Sequence, residues 1–173
     1  MRARVVVCPQ SRLADTLAAT GARSVVTLLA ADQRAGLPPM PGAARLLLDV
    51  SDIVSPRDGF ALAGEGHVAD LLAFARAWDR RHPLLVHCYA GVSRSTAAAF
   101  AVACALDPTR DEAVVAAAFR RASPSATPNP RLVALADAAL GRSGRMTEAV
   151  RAIGRGRDCF EGEVFSLDVP PRG

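Results

Sequence analysis

Leu84-Leu85-Val86-His87-Cys88-Tyr89-Ala90-Gly91-Val92-Ser93-Arg94-Ser95 is the stretch on which the reading of this chain turns. It opens as a short apolar strand, Leu84 to His87, directly behind Pro83. It closes on an alanine-rich segment whose composition predicts a helix from about Ser93 to Leu106. Only about five residues remain to curl between strand and helix, and Gly91 supplies a backbone position that can take positive φ. A curl this tight turns successive N–H groups inward, and the helix start adds its unpaired N–H groups and positive dipole end. The expected result is a cradle sized for a phosphate-like dianion.

The side chains on this curl are suited to act on such an anion. Cys88 stands at its base, where the N–H groups and the dipole favour a thiolate, the nucleophilic form of cysteine. Arg94 has a planar fork that can grip two oxygens at once, which a lysine point charge cannot do. Ser95 is in position to donate to the Cys88 sulfur when it leaves. His87 reads as a residue that orders the loop through its ring nitrogens rather than as a base. The anion-binding set is then Cys88, Tyr89, Ala90, Gly91, Val92, Ser93 and Arg94.

Working outward, strands and helices alternate. Arg4 to Cys8, Ser24 to Ala30 and Leu46 to Val50 read as strands. Ser11 to Thr20, Glu65 to Arg81, Arg110 to Ala122, Pro130 to Leu140 and Arg145 to Ile153 read as helices. The strands look continuously apolar, which predicts an α/β fold: a central, mostly parallel sheet flanked by helices on both sides. Asn129 and Pro130 fit the cap and first turn of a helix. The segment Ser123 to Asn129 reads as a simple helix connection, and bracing of the cysteine loop is its alternative. The last twenty residues, rich in Gly and Pro, predict a loosely packed tail.

The motif His-Cys-x-x-Gly-x-x-Arg-Ser resembles the phosphate loop of the cysteine-dependent protein tyrosine phosphatase superfamily, in its small dual-specificity branch. The strand before it, the helix after it and the Pro128-Asn129 pair are similar to that branch as well. The resemblance covers roughly residues 1 to 140. It implies a three-layer catalytic domain, taken as 1–157 with a tail at 158–173. It also implies a phosphomonoester hydrolase working through a phosphocysteine intermediate, without a metal or organic cofactor. A phosphorylated protein, with phosphotyrosine as the default, or a small phosphorylated molecule is the implied substrate, and phosphate or sulfate is expected to occupy the loop. The family mechanism needs an aspartic acid on a separate loop as general acid. Asp52, the first acid clear of the third strand, matches that order. Asp49, still in strand register, Asp58, beside Pro56 and Gly59, and Glu65 are the competitors.

Two other classes stay open on the sequence. A phosphate-binding module with little turnover would keep Cys88 and Arg94 but lack a placed acid. A rhodanese-like or arsenate-reducing thiol enzyme would fit His87, Ser95 and the Pro-Asn pair less well. The substrate is equally open, since a phosphoinositide, a nucleotide or a small metabolite would also fit; the lack of lysine in the loop weighs against the first.

Composition sets the outer bounds. The chain has 173 residues, enough for one sizeable core. Its net charge of +4 favours anionic ligands. No Lys/Arg stripe interleaves with aromatics, so nucleic acid is not expected. Arg142, Arg145, Arg151, Arg155 and Arg157 read as a solvated helix face and tail, with an anionic partner as the alternative. The cysteines Cys8, Cys88, Cys104 and Cys159 form no CxxC pair, which predicts free thiols in a reducing cytoplasm. Cys104 reads as core. Cys8 and Cys159 read as structural or incidental, with pairing to Cys88 the alternative. The longest apolar run, Ala97 to Leu106, is too short to span a bilayer.

Overall fold

The computed structural model describes residues 3 to 172; Met1, Arg2 and Gly173, at the ends of the expected domain and tail, lie outside the described residues. The strands are β1 (Ala3–Pro9), β2 (Ser24–Leu28), β3 (Ala44–Leu48), β4 (Leu84–Cys88) and β5 (Phe165–Val169). The helices are α1 (Leu13–Thr20), α2 (Glu65–Ala77), α3 (Arg94–Leu106), α4 (Glu112–Ala122), α5 (Pro130–Ala139) and α6 (Arg145–Ile153). The sheet order is β3-β2-β4-β1-β5. β4 pairs in parallel with β1 and β2, and β3 pairs in parallel with β2. Among the described residues, no helix is long and apolar enough to cross a membrane.

β1 and β4 read as continuous apolar runs because both of their faces are covered. Side chains alternate across a strand, so Val5 and Val7 join the larger core while Val6 and Cys8 join the smaller. The larger core is closed by α2 to α6. The smaller is closed by α1 through Leu13, with Met40 from the connection between β2 and β3. Helices do lie on both sides of the sheet, as expected, but very unequally. Almost every residue of α3 is buried; its run of alanines lets α2, α4, α5 and the sheet pack closely around it.

The C-terminal stretch is not a loose tail. Residues 165 to 169 form β5, the one antiparallel strand among the described residues, paired with β1 from Val7↔Phe165 to Ala3↔Val169. Phe165, Leu167 and Val169 are buried, while Ser166 and Asp168 face out. Phe165 packs edge-on to Phe119 at 5.8 Å between ring centroids, and Phe119 packs edge-on to Phe100 at 5.7 Å. That aromatic chain ties β5 into the core through α4 and α3. Gly and Pro on its flanks outweighed the period-two pattern inside it.

Of the basic C-terminal residues, Arg145, Arg151, Arg155 and Arg157 are exposed, as a solvated face would be, while Arg142 is used internally. Arg142 is buried and binds Glu112 at 2.8 Å and the Cys104 carbonyl at 2.8 Å. Arg145 adds a contact to Glu112 at 3.3 Å. Burial works against the Glu112 carboxylate, but the helix-start N–H and the two guanidiniums outweigh it, so its pKa falls below the usual value. Asp137 caps α6 by accepting from the N–H groups of Gly144 and Met146, both at 2.7 Å. Burial pushes the Cys8 and Cys104 thiols up to about 12, so both stay protonated core residues.

Candidate active site

The strand–curl–helix reading of 84–106 holds closely. β4 ends at Cys88, α3 starts at Arg94, and Gly91 takes φ of 70°. A Cβ on Gly91 would also lie 2.7 Å from the Pro9 nitrogen and 3.0 Å from the Cys8 carbonyl carbon, so both backbone angle and space demand glycine. The curl is held from outside by its carbonyls. Tyr89 O accepts from Gln10 N at 3.0 Å, and Ala90 O accepts from Gly162 N at 2.8 Å. Val92 O accepts from Thr127 N at 2.9 Å, and Ser93 O accepts from Asn129 N at 3.1 Å. Among the described residues, the N–H groups of Ala90 to Arg94 donate to no protein acceptor. Three separate segments therefore hold the carbonyls from outside, and the N–H groups are left for an acceptor from outside the protein.

Two of those segments were read differently from the sequence. Ser123 to Asn129 is no mere connection, since Thr127 and Asn129 brace the loop. The stretch before β5 lies against the loop's outer side at Gly162, where a Cβ would sit 2.7 Å from Gly91 O.

Inside the curl, Cys88 is buried and its Sγ is hydrogen-bonded with Ser95 Oγ at 3.1 Å. Arg94 is buried, and its Nη1 donates to Gln33 Oε1 at 2.7 Å and to Val50 O at 3.0 Å. Its Nε is buried without a protein partner among the described residues. Asp52 Oδ1 accepts from Ser93 Oγ at 2.7 Å and from Asn129 Nδ2 at 3.0 Å, which brings this carboxylate to the edge of the loop. Asp49 follows the end of β3 and pairs with Arg34 at 2.8 Å. Asp58 lies exposed on the tip of the intervening loop. Glu65 opens α2 and is exposed. Ser51 closes the loop's base: Ser51 N donates to Ala61 O at 2.7 Å, and Ala61 N donates to Ser51 Oγ at 3.0 Å.

His87 is fully buried beneath the loop. Burial lowers its pKa from 6.5 to about 4, so the ring is neutral near pH 7. Its Nδ1 faces the Cys88 carbonyl at 3.4 Å, which can only accept, so that nitrogen carries the proton. Its Nε2 then accepts from Thr27 Oγ1 at 2.8 Å. The unfolded chain takes up a proton as pH falls through 6.5, whereas the folded protein resists until about 4. Stability contributed here is therefore complete above pH 6.5, is lost as pH falls through that window, and changes no further below about 4. The total loss is about 3 kcal/mol. His87→Gln is expected to flatten that part of the stability profile, read by urea unfolding at pH 7, 5.5 and 4.5. An unchanged slope would remove His87 as its source.

A cleft of about 610 Å³ opens at Arg94, lined among others by Gln33, Asp32, Asp49, Asp52 and Phe60. A larger cleft of about 820 Å³, between α4 and β5, contains none of the loop's residues.

No protein-family model matches the chain, and no curated protein matches it in sequence. Solved structures do match. DUSP15 aligns with a TM-score of 0.60 at 18% identity, over 84% of this chain and 89% of its own. Human DUSP28 aligns with a TM-score of 0.59 at 23% identity, over 79% of this chain and 88% of its own. The fold is that of the dual-specificity phosphatases. PTPMT1 in complex with PI(5)P has the same architecture, with a TM-score of 0.58 at 15% identity over 85% of this chain and 90% of its own. These alignments cover most of the chain at low identity, so the dual-specificity phosphatase fold is kept here on a largely different sequence.

Sequence reasoning missed Gln33 and the second role of Asn129. Gln33 lies in an unremarkable Ala31–Gln33 turn with no motif around it. Asn129 was visible as the cap of α5, and its Oδ1 does accept from Arg131 N at 3.0 Å and Leu132 N at 3.1 Å. The same side chain holds Asp52 through its Nδ2, which no local pattern announces.

Proposed function

We propose that the protein is a cysteine-dependent phosphatase that hydrolyses phosphate monoesters at the Cys88–Ser95 loop. One observation carries the reading. The loop's carbonyls are held outward while its N–H groups, together with the buried Arg94 Nε, have no protein partner among the described residues. Donors left this way around a buried cysteine suit a tetrahedral dianion.

In the proposed reaction the Cys88 thiolate attacks phosphorus in line, and the P–O ester bond breaks. The leaving oxygen takes a proton from Asp52. The Asp52 carboxylate then takes a proton from water, and the hydroxyl attacks the phosphocysteine. The S–P bond breaks, and the departing thiolate accepts a hydrogen bond from Ser95 Oγ. Loop N–H groups and Arg94 hold the equatorial oxygens throughout. Contacts of Asp52 with Ser93 and Asn129 support it as the acid, while the Arg34 pair draws Asp49 into another role. His87, neutral and buried, orders the loop from below.

For the substrate, we favour an aryl phosphate such as phosphotyrosine in a protein. Three carboxylates on the cleft wall disfavour a second phosphate group, and the half-exposed Phe60 offers an apolar face. PTPMT1 in complex with PI(5)P supplies a second reading, a phosphoinositide substrate. Steady-state rates on a phosphotyrosine peptide and on soluble PI(5)P separate the two.

Asp52→Asn tests enzyme against phosphate-binding module. Its rate is expected to fall about 10²-fold on an alkyl phosphate and little on p-nitrophenyl phosphate, whose leaving group needs no proton. Rates unchanged from wild type on both esters would exclude Asp52 as the acid. Phosphate binding without turnover in the wild type would favour the binding module.

A further inference from the structure

We infer that Gln33 is a positioning residue for Arg94: its neutral amide oxygen sets the plane of the guanidinium without cancelling its charge. The inference rests on the phosphatase reading above and names a further part of that site.

Gln33 is well fixed. Its backbone oxygen accepts from Gln10 Nε2 at 3.0 Å, and its side-chain Oε1 accepts from Ala30 N at 3.4 Å. That same Oε1 accepts from Arg94 Nη1 at 2.7 Å. The Val50 carbonyl accepts from Nη1 as well, at 3.0 Å. Both acceptors hold one corner of the fork. Because the guanidinium is planar, fixing Nη1 and the stem fixes the direction of Nε and Nη2. Nε is buried without a protein partner, and Nη2 makes no hydrogen bond among the described residues. This edge of the fork is the one that can take two phosphate oxygens side by side.

The neutrality of the anchor matters as much as its geometry. Among the described residues, no carboxylate pairs with Arg94, and the nearby Asp49 is engaged by Arg34. A glutamate in place of Gln33 would keep an acceptor but add a negative charge beside the guanidinium and the incoming dianion. In this half-buried site that charge is only partly screened. Gln33 therefore orients the cation and leaves its full charge for the substrate.

The test compares the wild type with Gln33→Met, which keeps length and removes the acceptor, and Gln33→Glu, which keeps the acceptor and adds charge. Turnover of p-nitrophenyl phosphate, inhibition by vanadate and the thermal midpoint are measured on each. Gln33→Met is expected to lose about 10²-fold in kcat at an unchanged midpoint, as a misaligned group does. Gln33→Glu is expected to recover most of that kcat while its KM and its inhibition constant for vanadate rise about ten-fold, the worth of one charge-assisted contact. Should the Met variant unfold, Gln33→Ala is read in its place. Wild-type kcat in the Met variant, or equal kcat losses in Met and Glu variants, would overturn the inference. A wild type that neither turns over the ester nor binds vanadate would overturn the phosphatase reading itself, and Gln33's role with it.

Discussion

Cys88→Ser is expected to lower kcat/KM for p-nitrophenyl phosphate by at least about 10⁴-fold while leaving phosphate binding nearly intact. The two halves of this result have separate causes. A serine hydroxyl does not ionise near neutral pH, so the nucleophile is lost outright. The proposed oxyanion donors, by contrast, are backbone N–H groups and Arg94, which the substitution does not touch. Oxygen is smaller than sulfur, so the buried position accepts it, and the hydrogen bond to Ser95 is preserved in kind. Steady-state kinetics beside calorimetric titration with phosphate reads both halves. Retained turnover would exclude Cys88 as the nucleophile. Loss of phosphate binding along with turnover would point to a collapsed loop instead.

Arg94→Lys should cost about 10³-fold in kcat/KM, the scale of losing a preorganised oxyanion donor. The conserved charge does not rescue it. An ammonium group could satisfy Gln33 and Val50, the acceptors now used by Nη1 at 2.7 and 3.0 Å, or reach the phosphate, but not both. Vanadate affinity should fall in parallel with kcat/KM, since both depend on the same two donors. If Arg94→Lys kept wild-type vanadate inhibition, the loop N–H groups alone would hold the anion and the role given to Arg94 would fail.

The placement of these two residues was legible because they belong to one contiguous strand–curl–helix. Local dihedral preferences and a single glycine shape that unit, and the chemistry proposed for it rests on spacing along the chain. Asp52 was only partly legible. Strand order brought forward the acids after β3, but choosing among Asp49, Asp52 and Asp58 needed contacts from Ser93 and Asn129, 41 and 77 positions away. Gln33 was not legible at all: it meets Arg94 across 61 positions and carries no motif. β5 was hidden for another reason. Its alternation of Phe165, Leu167 and Val169 is the signature of a half-buried strand, but glycines and prolines around it read as a tail. The partner that makes it a strand, β1, lies at the other end of the chain.

The division between the two levels is a division between local and long-range contacts. The sequence by itself determined the α/β alternation, the strand–curl–helix at 84–106 and the places of its cysteine and arginine, because periodicity and a single glycine mark that unit within about ten residues, although distant segments brace it. Tertiary structure decided which carboxylate reaches the loop, what anchors the guanidinium, and that the C-terminal strand closes the sheet. Each of those rests on hydrogen bonds between segments whose separation along the chain carries no periodic signal, and which meet only once the two cores have packed on the sheet.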